Sequence, residues 1–114
     1  MKDDKIYLIH ILECIEKTER FLENKKHLKD SEMVDDAIIR NLQIMAESTQ
    51  RLSEKIKINI HDIPWRDISD FRNKLVHDYL GIDLEIIYDV IENELPNLKK
   101  KILEILQELE NSKS

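Results

Sequence analysis

The fold class follows from residues 31–56, SEMVDDAIIRNLQIMAESTQRLSEKI. Apolar side chains recur along this segment at spacings of three and four residues, which places them on one broad face of a helix. That face consists of Val34, Ala37, Ile38, Leu42, Met45 and Leu52, with the polar Asn41 among them. Asp30 and Ser31 are both good N-caps, and Glu32 stands in the first turn. The pattern predicts a long amphipathic helix that ends near Ile56.

A first helix is predicted before this segment, from Lys5 to about Leu28. Its apolar residues have the same helical spacing; they are Leu8, Ile11, Leu12, Ile15, Phe21 and Leu22. The basic stretch Lys25–Lys29 at its end either complements the negative end of the helix dipole or forms a local patch for RNA.

A short third helix is predicted after a loop at Asn59–Asp62. It begins at Ile63-Pro64-Trp65, because a proline at the first helical position loses no hydrogen bond that the helix needs. It runs to about Leu80 and stops at Gly81, the single glycine, where we expect a left-handed backbone conformation.

The last part of the chain predicts a fourth helix capped by Asp83. Its apolar face consists of Ile86, Ile87, Val90, Ile91 and Leu95. Pro96 either kinks this helix or restarts it as a fifth, and Asn111–Ser114 is expected to fray. We therefore expect an all-α fold, an antiparallel bundle of four to five helices that forms one domain over residues 1–114.

Composition agrees with a helical domain and adds a prediction about assembly. The 114 residues include one glycine, two prolines and only 5% aromatic residues, whereas 37% are charged. This balance favours helices over strands. A chain of this size buries only about two thirds of the surface that its unfolded form exposes. The wide apolar faces therefore indicate a homodimer.

Charge and hydropathy narrow the classes of function. The formal net charge of −6 argues against non-specific binding to nucleic acid, so any contact with RNA must be local. The sequence has neither a run of about 18 apolar residues nor a leader with a basic start. We therefore expect a cytoplasmic protein that does not use a membrane. Cys14 is the sole cysteine, which excludes an internal disulfide and predicts a small packed side chain.

The third helix contains the residues that point to chemistry, within FRNKLVHDYLGID at 71–83. Ile68, Phe71, Leu75 and Tyr79 share the face that is expected to contact the core. Arg72 and His77 are about 140° apart around an ideal helix, so one straight helix cannot easily direct both at one atom. Either the helix ends or bends before His77, or two copies of the chain complete the site.

A purely structural interpretation of these residues is also available. Arg72 would then form an ion pair with Asp67 or Asp70, His77 would be a surface histidine, and Tyr79 would be a core aromatic. An arginine and a histidine at this spacing occur easily by chance. His10, His27 and His61 have no matching partners and are interpreted as structural or solvated.

The surroundings of Arg72 and His77 favour function. The relevant segments are Ile63-Pro64-Trp65, Arg72-Asn73, His77-x-Tyr79 and Gly81-Ile82-Asp83. With Tyr7-Leu8-x-His10-Ile11-Leu12-Glu13, Arg40-Asn41-Leu42, Arg51-Leu52-Ser53 and Leu95-Pro96-x-Leu98, they make most of the chain resemble the HepT-like members of the HEPN superfamily. One departure is Ala46-Glu47-Ser48, where the family commonly has Gly-Glu-Ala, and it raises a question about local packing.

The resemblance implies the toxin of a type VII toxin–antitoxin system, an endoribonuclease that needs no metal ion and no cofactor. It implies Arg72 and His77 as catalytic residues, Asn73 as a supporting residue, and a composite site at a homodimer interface. It also implies that an MntA-like nucleotidyltransferase antitoxin neutralises the toxin by adenylylating Tyr79.

The residue types suit this chemistry. His77 titrates near neutrality and can act as base or acid, and Arg72 offers a planar fork of donors for phosphate. Asn73 would either hydrogen-bond the imidazole or contact RNA. The alternative function is a non-catalytic helical subunit that binds a nucleotidyltransferase, and an RNA-cleavage assay separates the two.

Overall fold

A computed structural model describes residues 2–25, 31–60, 62–77, 81 and 83–111 of the chain. These residues form six helices: α1 (Lys2–Lys25), α2 (Ser31–Gln50), α3 (Glu54–Asn59), α4 (Trp65–His77), α5 (Leu84–Asn93) and α6 (Leu95–Asn111). No strand occurs in these described ranges. The prediction of an all-α fold is confirmed, but the predicted number of helices, four to five, was too small. Homodimerisation stays a prediction.

The core lies between α1, α2, α4, α5 and α6. α2 is the central element, because it packs against α1 on one side and α4 on the other, while α6 packs on α1 and α5 packs on α6. The largest fully buried apolar side chains come from these helices; they are Leu8, Ile11, Ile15, Ile38, Leu42, Leu75, Ile87 and Ile102.

The predicted end of the second helix near Ile56 was wrong, because α2 ends at Gln50 and a separate short helix follows. The Thr49 hydroxyl donates to the Ala46 carbonyl oxygen at 2.6 Å, which competes with the helical backbone pattern. Ser53 then adopts an extended conformation and becomes the N-cap of α3. The apolar pattern continues through the break, but the backbone changes direction there.

A contact from the start of the chain holds this corner between α2 and α3. The carboxylate of Asp4, which is 4% exposed, accepts the Ser53 backbone N–H at 2.8 Å and the Ser53 hydroxyl at 2.7 Å. Hydrogen bonds to an ionised carboxylate are stronger than neutral ones. Asp4 therefore stabilises the non-helical conformation of Ser53.

A buried polar network connects α1 with α2. The Asn41 side-chain amide donates to the Thr18 hydroxyl at 2.7 Å and to the Cys14 carbonyl oxygen, and the Thr18 hydroxyl donates to that same carbonyl at 2.9 Å. Thr18 and Asn41 are both buried. The Cys14 side chain is packed beside this network, as predicted, and its burial raises the pKa of the thiol.

α4 lies antiparallel to α2. The Gln50 amide donates to the Ser69 hydroxyl at 3.0 Å, and contacts nearer the start of α2 involve residues nearer the end of α4. At the start of α4, the Trp65 indole N–H donates to the carbonyl oxygen of Ile60, which follows α3, at 2.9 Å. The contacts with Gln50 and Glu47 hold α4 against α2, and Leu75 of α4 is buried.

The predictions for the end of the third helix have mixed outcomes. α4 is helical through His77, and the predicted extension to Leu80 lies outside the described residues. Gly81 does not have a positive φ, so the predicted left-handed conformation was wrong. The predicted extension of the first helix to Leu28 and the frayed end at 112–114 also lie outside the described residues.

The start of the fourth helix was predicted correctly, and the structure decides between the two effects predicted for Pro96. The Asp83 carboxylate accepts the Glu85 N–H at 2.9 Å and caps α5. α5 ends at Asn93, and α6 starts at Leu95 with Pro96 in its first turn, so the proline restarts the helix. None of the described helices has the length and hydropathy needed to span a membrane.

Candidate active site

α4 presents two different polar surfaces. Arg66, Asp70, Asn73 and His77 are exposed and follow one another at spacings of four, three and four residues, which places them on the outward face. Arg72 lies on another side, towards α2. The helix therefore separates Arg72 from His77, as their spacing predicted.

Arg72 is partly buried against α2. Its Nη2 lies 3.6 Å from Oε1 of Glu47, and its Nη1 donates to the side-chain oxygen of Asn73 at 3.3 Å. The same Glu47 oxygen accepts a hydrogen bond from the Gln43 amide at 3.3 Å. The structural interpretation of the sequence paired Arg72 with Asp67 or Asp70 on its own helix, but the ion pair in the structure reaches α2 instead.

The guanidinium of Arg72 has donor capacity that the fold does not use. Its Nε is shielded from solvent and has no hydrogen-bond partner in the described part of the chain. A buried donor without an acceptor costs about 1–3 kcal/mol. The side chain as a whole is nevertheless 28% exposed, and a planar guanidinium matches the oxygens of a phosphate.

His77 is exposed at the last described position of α4. The helix is continuous up to and including His77, so the interpretation in which it ends before this residue was wrong. An uninterrupted helix keeps Arg72 and His77 about 140° apart around its axis. The remaining interpretation, in which two copies of the chain supply the site, is not tested by a single chain.

Asn73 makes a contact that the sequence did not predict. Its side-chain oxygen accepts from Arg72, one residue before it, while the sequence suggested either the imidazole of His77 or RNA as its partner. The exposed position of Asn73, one turn before His77, leaves both of those roles open. Tyr79 and Leu80 lie outside the described residues.

Glu47 is the residue that sequence reasoning noticed without giving it a role. It stands between Ala46 and Ser48, which are both buried, so the departure from Gly-Glu-Ala fits within the packing of α2. Glu47 itself is half-buried and faces α4. In the sequence, Glu47 lies one turn after Gln43 and on a different face of the helix from the buried Asn41. This position was the available signal that Glu47 faces a second neighbouring helix.

Two other features complete the description of the site. Among the described residues, no group of three or more His, Cys, Asp or Glu side chains is arranged to hold a metal ion. A groove of about 700 Å³ lies between α4, α5 and α6, with apolar side chains such as Ile63, Phe71 and Ile87 in its walls. Arg72, Asn73 and His77 do not line this groove, so it is separate from the candidate site.

Comparison with known proteins assigns the chain to a group with a named activity. The family model described as "Ribonuclease HepT-like" matches residues 11–105. A Caldanaerobacter subterraneus subsp. tengcongensis protein named "Putative RNase" is 35% identical over 113 residues, which cover 94% of this chain and 97% of that protein. A Thermococcus cleftensis protein named "Probable ribonuclease HepT" is 32% identical over 103 residues, covering 88% and 93%.

A longer relative is also similar. A Methanocaldococcus jannaschii protein named "Gamma-glutamylcyclotransferase and putative RNase" is 36% identical over 115 residues, which cover 99% of this chain. The chain spans about half the length of that relative, 52%. No solved structure matches the chain.

Proposed function

Because the chain belongs to the HepT-like ribonuclease family, we propose that it is an endoribonuclease that cleaves RNA without a metal ion or cofactor. Arg72 and His77 are its catalytic residues, and Asn73 supports them. The observation that carries this proposal is the state of Arg72, which pairs with Glu47 of α2 while 28% of its side chain stays exposed.

The proposed reaction uses the 2′-hydroxyl of RNA as the nucleophile. A base removes its proton, the 2′-oxygen attacks the adjacent phosphorus, and the bond from phosphorus to the 5′-oxygen breaks as an acid protonates that leaving oxygen. His77 can exchange protons near neutral pH. Arg72 stabilises the negative charge that develops on the phosphate.

A homodimer supplies what one chain lacks. One histidine cannot readily act as acid and base in the same step, and α4 directs Arg72 and His77 to different sides. Two copies that meet near α4, with half-buried Val76 and with Leu80 in the contact, would bring both residue types from both chains into one cleft. The active site is therefore composite.

The test of activity is incubation of the purified chain with total RNA in the presence of a chelator. We expect the wild type to cleave, and His77→Ala to lose about 10²- to 10⁴-fold in rate, the usual contribution of an acid–base group. His10→Ala, which removes an exposed histidine from α1, is the matched control and should keep full activity.

Three results would contradict parts of this proposal. Cleavage that appears only when a divalent ion is added rules out the metal-independent mechanism. A His77→Ala variant as active as His10→Ala removes His77 from the site. A wild type that binds a nucleotidyltransferase but never cuts RNA supports the alternative function, a non-catalytic partner subunit.

Mixing two inactive variants tests the composite site. A heterodimer of Arg72→Ala with His77→Ala still contains one intact arginine and one intact histidine, so we expect it to recover part of the lost activity. Sedimentation should detect the dimer. A wild type that cleaves RNA as a monomer at micromolar concentration contradicts this part of the proposal.

The biological role that we propose is that of the toxin in a type VII toxin–antitoxin system. An MntA-like nucleotidyltransferase antitoxin would adenylylate Tyr79, two residues after His77. The added AMP brings bulk and a negatively charged phosphodiester, which can pair with Arg72 and exclude RNA.

Mass spectrometry after incubation with the antitoxin and ATP tests this regulation. We expect added adenylyl mass on Tyr79 and loss of cleavage. A Tyr79→Phe variant should remain active and resist neutralisation, whereas a Tyr7→Phe control should still be neutralised. If the antitoxin silences Tyr79→Phe as effectively as the wild type, inhibition occurs by simple binding.

A further inference from the structure

The contact between α2 and α4 contains an acidic side chain for which the proposed reaction has no direct use. Glu47 lies beside the guanidinium of Arg72, with 3.6 Å between Oε1 and Nη2. Its carboxylate cannot attract a phosphate, and its negative charge opposes the binding of RNA close by. Its presence next to the proposed catalytic arginine therefore needs an explanation.

The covalent geometry of arginine supplies one. Nε and Nη2 share one edge of the planar guanidinium, and Nη1 and Nη2 share the other. The Nε–Nη2 edge is the inner one, because Nε is shielded from solvent and Nη2 lies beside Glu47. The donors that remain for a phosphate are those of the outer edge, where Nη1 also contacts Asn73.

Glu47 is itself held in place. The Gln43 amide, one turn earlier on α2, donates to the same carboxylate oxygen that faces Arg72, at 3.3 Å. Three residues after Glu47, Gln50 donates to Ser69 and fixes α4 beside α2. The hydrogen bond from Gln43 therefore restricts the Glu47 carboxylate to one position beside Arg72.

We propose that Glu47 is a positioning residue that orients Arg72 for RNA cleavage, an inference that rests on the proposed ribonuclease function. Its carboxylate pairs with Nη2 of the guanidinium and so keeps the Nη1 side directed at the reacting phosphate. Without it, the long arginine side chain samples other rotamers, and the phosphate loses an oriented partner.

This role has a kinetic signature that a merely structural role lacks. Removal of the carboxylate makes the surroundings of Arg72 more positive, so RNA should bind as well as before or more tightly. The misoriented guanidinium should stabilise the transition state less well. We expect kcat to fall and KM to stay the same or fall.

The experiment compares Glu47→Ala and the nearly isosteric Glu47→Gln with Glu16→Ala, which removes an exposed acid from α1 with the same change in charge. The kcat of Glu47→Ala should fall by about tenfold to a hundredfold. Glu47→Gln should fall less, because its amide oxygen still accepts a hydrogen bond. Glu16→Ala should match the wild type.

A spectroscopic measurement accompanies the kinetics. The Arg72 Nε–H signal, assigned by its absence in Arg72→Lys, should exchange slowly with solvent in the wild type and faster in Glu47→Ala. An unchanged exchange rate contradicts the positioning role. So does a folded Glu47 variant with wild-type kcat, or one with raised KM and unchanged kcat. An inactive wild type overturns the proposed function itself, whereas these results in an active protein overturn only the role of Glu47.

Discussion

The two sides of α2 hold polar side chains in opposite ways. Towards α1, the amide of Asn41 donates to Thr18 and to the Cys14 carbonyl in a buried network. Towards α4, Glu47 faces an arginine whose Nε has no partner in the described part of the chain. The two interfaces share a helix but differ in burial and in the use of their donors.

The difference between the two interfaces shows two uses of polar side chains. Those between α1 and α2 specify how the helices pack, whereas those between α2 and α4 are available to a ligand. A buried network whose donors are matched to acceptors fixes how two helices meet. A partly exposed cation with an unpartnered nitrogen adds little to folding, and its cost is tolerated where function requires it. The α1–α2 interface should therefore respond to mutation in stability and the α2–α4 interface in activity.

Among the variants that test the two interfaces, Arg72→Met has the largest expected effect, a loss of cleavage. Methionine keeps much of the side-chain volume but has no donors, so the rate should fall by about 10²- to 10³-fold, as when a transition-state donor is removed. The free energy of unfolding should stay within about 1 kcal/mol of the wild type or rise, because the unpartnered Nε is removed as well. Denaturant unfolding and an RNA-cleavage assay measure the two quantities.

A large loss of stability in Arg72→Met would break the distinction between the two interfaces. It would mean that the guanidinium contributes to the packing of α4 on α2, despite its unpartnered nitrogen. Ser69→Ala, on the same side of α4, provides a reference for the loss of a polar contact to α2 without loss of charge.

The next effect in size belongs to Asn41→Ala. This change removes both donors of the buried amide and leaves the Thr18 oxygen and the Cys14 carbonyl with fewer partners, so the free energy of unfolding should fall by about 1–3 kcal/mol. Cleavage measured well below the unfolding temperature should remain near the wild-type rate. Loss of activity in a fully folded Asn41→Ala would show that the two interfaces are coupled through α2.

The smallest effect concerns Cys14 and pH. Burial raises the pKa of this thiol, so the folded state retains the proton more strongly than the unfolded state. The resulting stability is fully present below the ordinary thiol pKa of about 8.5 and is lost as pH rises through the higher pKa of the folded state. The urea midpoint should decrease between neutral and alkaline pH, and this decrease should be larger for the wild type than for Cys14→Ala. Equal decreases would indicate that water reaches the α1–α2 interface.

The sequence predicted the elements whose signals are local. The apolar periodicity identified the faces of α1 and α2, and Asp83 identified the start of α5. Pro96 indicated either a kink or a restart, of which the structure has the restart at α6. The end of α2 at Gln50 was missed, because neither glycine nor proline marks it and its apolar pattern continues. Ser53 was the available signal, since serine is a good N-cap.

The sequence indicated which residue types form the candidate site, but it did not indicate all of their contacts. The spacing of Arg72 and His77 on one helix gave their angular separation, and α4 has that continuous geometry. The ion pair with Glu47 joins residues on two helices, and nothing in the local sequence of α4 names its partner. Contacts between distant segments depend on how the helices pack, which composition and periodicity do not specify.

The hydrogen bonds from Ser53 to Asp4 have a consequence for the order of folding. They join positions 49 residues apart, so they can form only after α1 has docked against α2. Before that event the segment 31–56 has only its local signals, of which the apolar pattern favours one continuous helix. We expect an isolated peptide of this segment to show helical signals past Gln50, and the corner at Ser53 to form late. The hydrogen bonding of Ser53 to Asp4 would then be a tertiary folding step. It would end α2 at Gln50, where the early helix had continued further.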